Sequence, residues 1–217
     1  MTGAPRSEPR WPSALAVLAA VGLYLTLPDE LVPGPSYVRY IIPLLELAVL
    51  VPLAVTTPHR QVNESGARRR AAMLLTALIS VANALALAFL IHQLLYGAGI
   101  GGRPLLYGAF DVWVTNVIVF ALWYWELDGG GPPRRLEQPD VPRDFAFVQM
   151  TDPEVAKPNW QPRFADYLYV SFTNASAFSP TDTMPLTHWA KLLMMLQSVV
   201  SILTLLLVAA RAVNILH

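Results

Sequence analysis

Glu46, His92 and Asp111 are ionisable residues set inside otherwise apolar stretches of the chain. An ionisable group at membrane depth is costly and commonly marks an ion or proton path. Two carboxylates near one imidazole have the chemistry to bind a cation, or to pass a proton with His92 as the group that titrates near neutrality. Counting about 1.5 Å per residue from the outer helix ends puts all three in the outer third of the membrane. Asn83 and Asn116 then lie deeper and would continue a polar path inward. The plainer reading is that Glu46 and Asp111 are locally neutralised, snorkel outward, or pair with Arg39 and Arg103. An imidazole and a carboxylate fall short of the three or four ligands zinc takes. No metal centre and no cofactor is expected.

A second polar group lies near the end of the chain, between Asp166 and Asp182. Its candidate site residues are Thr173, Asn174, Ser176, Phe178, Ser179, Thr181 and Asp182. The apolar positions between Tyr167 and Phe178 predict a helix of roughly 13 residues, too short and too hydroxyl-rich for an easy span and too apolar for a free loop. Ser179-Pro180 ends it, because proline disfavours helix at the residue before it. Thr181-Asp182-Thr183 turns the chain, and Pro185 leads into a last apolar helix. Either the short helix re-enters the bilayer or it crosses as a sixth span. Its polar side chains either line a vestibule or hydrogen-bond neighbouring helices, as Ser, Thr and Asn do in many bundles.

The elements that hold these residues follow from composition. Of 217 residues, 54% are hydrophobic and 14% charged, against about 25% charged in soluble domains. The expected fold is all-α: a multi-pass transmembrane bundle of five spans plus a re-entrant or short sixth helix. The spans are Trp11–Leu27, Val38–Thr57, Ala71–Tyr96, Leu105–Leu127 and Trp189–Leu216, the first of them marginal for a core that needs about 20 apolar residues. Arg6 and Arg10 before the first apolar run resemble a signal peptide, but no small-residue cleavage site precedes Pro28-Asp29-Glu30, so a retained helix is expected. The chain divides into a tail (1–10), a four-helix bundle (11–127), a Pro/Gly-rich polar linker (128–163) and a terminal hairpin (164–217). Within the linker, Asp144–Met150 is apolar enough to lie on the bilayer or fold back on the bundle.

Basic residues cluster at Arg6 and Arg10, Arg60 and Arg68–Arg70, and Arg134, Arg135, Arg143, Lys157 and Arg163, whereas the opposite loops hold only Arg39 and Arg103. That asymmetry predicts a cytoplasmic N-terminus. It leaves the side of the C-terminus open, since Lys191 and Arg211 sit at opposite ends of one helix.

The terminal hairpin resembles the pore domain of the two-helix, potassium-channel-like superfamily. Tyr167, Ser171, Phe172 and Thr173 stand where pore-helix residues would, Phe178 near the filter aromatic, Asp182 at the filter-end acid, and Pro185-Leu-Thr187 at the turn into the inner helix. The stretch is more similar still to bacterial multi-pass membrane proteins carrying Tyr-Leu-Tyr-x-Ser-Phe-Thr-Asn-x-x-Ala-Phe-Ser-Pro-Thr-Asp. The resemblance covers about the last 55 residues. It implies an inner (plasma) membrane protein, a homotetramer, and monovalent cations as partners alongside the lipid bilayer. Two departures narrow it. No glycine lies between Thr173 and Asp182, although filter glycines supply the left-handed backbone cheaply, and about two extra residues, Pro180 among them, separate the matched ends. A carbonyl-lined potassium filter is not expected. A wider vestibule of hydroxyl and amide groups with Asp182 at its mouth would favour cations weakly. The other readings are a non-conducting scaffold that keeps only the hairpin's shape, and a proton- or cation-coupled transporter using Glu46, His92 and Asp111.

Remaining signals are weak. The formal net charge of zero argues against nucleic acid, and the absence of cysteine removes thiol chemistry and disulfides. Gly129–Gly131 lacks the lysine and the strand–helix setting of a phosphate loop. No hydrolase-like Ser/His/Asp or paired-acid arrangement stands out, and enzymatic activity is not expected.

Overall fold

The computed structural model describes residues 8–32, 34–56, 59–60, 65–96, 102–138, 140–152, 154, 160–178 and 182–215. In chain order these form β1 (Glu8–Pro9), α1 (Trp11–Thr26), a single 3-10 turn (Asp29–Leu31), α2 (Val38–Thr56), β2 (His59–Arg60), α3 (Gly66–Tyr96) and α4 (Gly102–Leu127). A second 3-10 turn (Asp128–Gly130) follows, then α5 (Pro132–Glu137), β3 (Phe145–Phe147), α6 (Val148–Thr151), α7 (Phe164–Ala177), β4 (Thr183–Pro185) and α8 (His188–Ile215). The fold is all-α, and its four strands are two-stranded clasps of two or three residues each.

Among the described residues four helices are long and apolar enough to cross a membrane: α2, α3, α4 continued to Gly130, and α8 counted as His188–Ala209. The 16 residues of α1 rise only about 24 Å, less than a hydrocarbon core of about 30 Å. α4 is the spine. Its apolar stretch is 72% buried, against 17% for α2 and 22% for α8, and α1, α3, α7 and α8 all pack on it. The peripheral helices turn Leu44, Val51, Leu74, Leu192, Leu196 and Leu206 outward. A bilayer makes that exposure costless, because lipid tails are as apolar as the side chains.

Local chemistry sets the joints. After α1 the chain folds back through Asp29–Leu31 so that Leu31 is buried against α4. Gly108 permits this, since a Cβ there would collide with Leu31 Cδ1. Past the end of α4, Gly129, Gly130 and Gly131 all adopt positive φ (57°, 82° and 95°), which a residue with a Cβ takes up only at a cost. Those glycines therefore belong to a tight reversal. Arg163 N–H donates to Asp166 Oδ2 at 2.7 Å, closing the first turn of α7 with a carboxylate on the positive end of the helix dipole.

The linker folds back on the bundle. β3 pairs antiparallel with β4, Phe145 opposite Pro185 and Phe147 opposite Thr183, and both phenylalanines are buried against Tyr167. The knot is Asp128, wholly buried. Its Oδ1 accepts the backbone N–H groups of Asp144 (2.7 Å) and Phe145 (3.2 Å), and its Oδ2 accepts the Tyr167 hydroxyl (2.6 Å). Arg143 lies 3.7 Å from Oδ2, Arg135 holds the carbonyls of Trp125 and Asp128, and the Arg135 guanidinium sits 5.2 Å from the Tyr167 ring centre. Asp144 in turn accepts the Thr187 hydroxyl at 2.7 Å. The starts of α7 and α8 are thus both fastened to one end of α4, the Arg-rich end of the bundle.

Asp128→Ala should strip acceptors from two backbone amides and Tyr167 beside two buried guanidinium groups, costing about 3–5 kcal/mol. Asp128→Asn, which keeps one acceptor oxygen, should cost less. Thermal unfolding in detergent checks that order, and equal melting temperatures for wild type and Asp128→Ala would remove Asp128 from this role.

Candidate functional site

The hairpin residues do not converge in one place. α7 spans Phe164–Ala177 and is two-faced. Its inner face carries Tyr167, Val170, Ser171, Asn174 and Ala175, all buried. Ser171 donates to the Val117 carbonyl at 2.6 Å. Asn174 donates to the Met194 carbonyl (3.0 Å) and to Gln197 Oε1 (2.8 Å). Gln197 is the hub, for its amide donates to the carbonyl (2.9 Å) and hydroxyl (2.6 Å) of Ser171 while its oxygen also accepts the Tyr124 hydroxyl at 2.6 Å. Asn116 joins the same seam, donating to Ser201 Oγ (2.9 Å) and to the Gln197 carbonyl (3.3 Å).

The outer face is different. Thr173 turns its hydroxyl back to the carbonyls of Tyr169 and Val170, both at 3.0 Å, and Ser176 does the same to Phe172 at 2.8 Å. Phe178 caps α7 in the left-handed region (φ 55°) with a half-exposed ring. Asp182 is exposed. Ser179 and Thr181 lie outside the described residues. Of the seven hairpin residues, then, Asn174 is tied into the bundle core, while Thr173, Ser176, Phe178 and Asp182 are at its surface.

The intramembrane group is rearranged relative to the sequence expectation. Glu46 and Asp111 line one cavity of about 10 Å³, roughly the room of one water. It lies among α1 to α4, and its polar lining is completed by Tyr24, Asn83 and Thr115. Glu46 is 1% exposed and its Oε2 has no hydrogen-bond partner, and the Tyr24 hydroxyl, also buried, has none. Asp111 Oδ2 accepts the Thr26 hydroxyl at 3.3 Å. Arg39 does not neutralise Glu46: its guanidinium donates to the carbonyls of Leu25 (2.8 Å) and Leu27 (2.6 Å) and to Asp29 (2.6 Å). His92 does not line the cavity. It is exposed on α3 and packs on Tyr96, ring centres 5.3 Å apart. Asn83 lines the cavity, whereas Asn116 faces α8 from the other side of α4, so the two do not form one inward path. A larger cavity, about 40 Å³, lies nearer the Arg-rich end beside Arg10, Leu50, Trp125 and Glu126 and holds none of the predicted residues.

Two sets of residues escaped the sequence reading. Gln197, Ser201 and Thr204 recur at helical spacing on one face of an apolar helix and are wholly buried; that periodicity was the available signal. Tyr24 and Thr115 carried no such signal, since hydroxyls scattered along α1 and α4 reveal nothing until the helices are packed. Comparison with protein-family models, curated proteins and solved structures finds no match.

Gln197→Leu should break the hub and lower stability by about 1–3 kcal/mol, taking roughly 0.6 kcal/mol for an average intramembrane hydrogen bond and up to 1.7 for a strong one. A melting temperature equal to wild type would show that the seam does not hold the hairpin.

Proposed function

We propose that this is an ion-channel-like membrane protein in which α7 re-enters the bilayer and α8 forms the inner helix of the hairpin. One observation carries this reading: Phe164 and Tyr167 at the start of α7, and β4 and Thr187 at the start of α8, are fastened to the same end of the bundle. Phe164 N–H donates to Glu8 and its ring packs on Trp125, Tyr167 binds Asp128, and Thr187 binds Asp144. The 14 residues of α7 rise about 21 Å, so the chain goes part of the way in and must come back. Non-helical backbone at that depth is tolerated where protein buries it or water lines it.

Among the described residues one protomer offers a partly exposed rim: Thr173, Ser176, Phe178 and Asp182. In this reading the conducting path is built from several copies, with the acid of each at the mouth of a weakly cation-selective vestibule. The Arg-rich end faces the cytoplasm in this reading. A second reading, a non-conducting scaffold that keeps the hairpin's shape, draws on the inner face of α7, where Ser171 and Asn174 are held by α4 and α8 as structural bonds.

Reconstituted vesicles separate the two. Ohmic monovalent-cation current that loses its cation-over-anion preference in Asp182→Asn supports the pore. Absence of current under any gradient, with the hairpin still folded, supports the scaffold. Current unaffected by Asp182→Asn would put the pore elsewhere.

A further inference from the structure

The cavity among α1 to α4 is separate from the hairpin and poses a charge problem of its own. Glu46 presents a buried carboxylate oxygen without a partner, and Asp111 shares its cavity. Among the described residues no Lys or Arg lines that space. The polar groups that line the cavity together with Glu46 are Tyr24 from α1, Asn83 from α3, and Thr115 and Asp111 from α4. On its own helix, Arg39 lies two turns away and is held by Leu25, Leu27 and Asp29. An isolated ionised carboxylate in such a place is too costly to persist, so it is either protonated or neutralised by a bound cation.

We propose that Glu46, Asp111, Tyr24, Asn83 and Thr115 form an intramembrane site for one dehydrated monovalent cation of sodium size, for which protons compete. The donor set carries the chemical class: two carboxylates, an amide oxygen and two hydroxyls are hard oxygen ligands, without the sulfur or imidazole that transition metals favour. Size narrows it further. Room for about one water admits a bare ion and excludes magnesium, which keeps several of its waters. Charge completes the argument. A monovalent cation on one carboxylate leaves a single proton to neutralise the other, so lowering the pH refills the site with protons and expels the metal. The site's position, about 12 Å along α2 from its Val38 end, gives a cation a short route from that side.

The test uses the purified full-length protein in detergent at constant ionic strength, with sodium chloride titrated against choline chloride between pH 6 and pH 8. Sodium should raise the melting temperature saturably at pH 8, and its apparent affinity should weaken by up to about tenfold per pH unit once the proton dominates. Glu46→Gln should abolish the shift and Asp111→Asn should weaken it. Should Glu46→Gln fail to fold, Tyr24→Phe and the infrared band of protonated carboxyl groups replace it, and sodium at pH 8 should diminish that band in the wild type. Equal responses to sodium and choline, or a protonated-carboxyl band indifferent to sodium, would overturn the proposal. A larger response to calcium than to sodium would overturn its monovalent class. None of these readings depends on whether the hairpin conducts.

Discussion

Asp128 holds the architecture together. It sits where α4 ends, wholly buried, and each carboxylate oxygen reaches a different part of the chain: one takes the backbone amides at the start of β3, the other the hydroxyl of Tyr167 on α7. Asp144 extends the tie to Thr187 ahead of α8. A buried carboxylate is stable only when its lone pairs are used and positive charge is close, and Arg143 and Arg135 supply that charge. The glycines that follow make it possible, for their positive φ angles bring the linker back over the end of α4 instead of letting it run on. Without that reversal the hairpin's direction against α4 would not be set.

From this knot the two polar systems diverge. Ser171, Asn174, Gln197, Tyr124, Asn116 and Ser201 form a satisfied seam between α4, α7 and α8, where nearly every donor meets an acceptor inside the protein. Such a seam rigidifies and fixes register, as fully paired buried polar groups do. The cavity among α1 to α4 is its opposite. Glu46 Oε2 and the Tyr24 hydroxyl lack partners, and groups left in that state need an occupant or a proton. The same bundle thus separates polar side chains that hold structure from buried polar side chains left without a hydrogen-bond partner.

The peripheral helices carry less of this burden. α2 and α8 turn most of their apolar surface outward, and their packing is set by a few inward residues: Glu46, Leu50 and Leu53 on α2, Gln197, Ser201 and Thr204 on α8. In lipid the apolar faces supply no force for helix association, so these inward positions decide where each helix sits.

The sequence by itself determined the all-α membrane class, the position of each long helix to within a few residues, and the short helix before Pro180. Hydrophobic runs and proline act locally and are visible in one dimension. It also singled out Glu46 and Asp111, because a carboxylate in an apolar run is conspicuous wherever it points. Only the tertiary structure decided which way side chains face. It separated His92 from the two acids, split Asn83 from Asn116 across α4, turned Asn174 inward and Thr173 outward, and recruited Tyr24 and Thr115, which look ordinary in their own helices. Rotation of one helix against another depends on contacts between residues far apart in the chain, such as the 81 positions between Asn116 and Gln197. No local pattern encodes that pairing. The linker shows the same division: its polarity marked it in the sequence as no span, but burying Phe145 and Phe147 against Tyr167 required a partner that the chain supplies only twenty residues later.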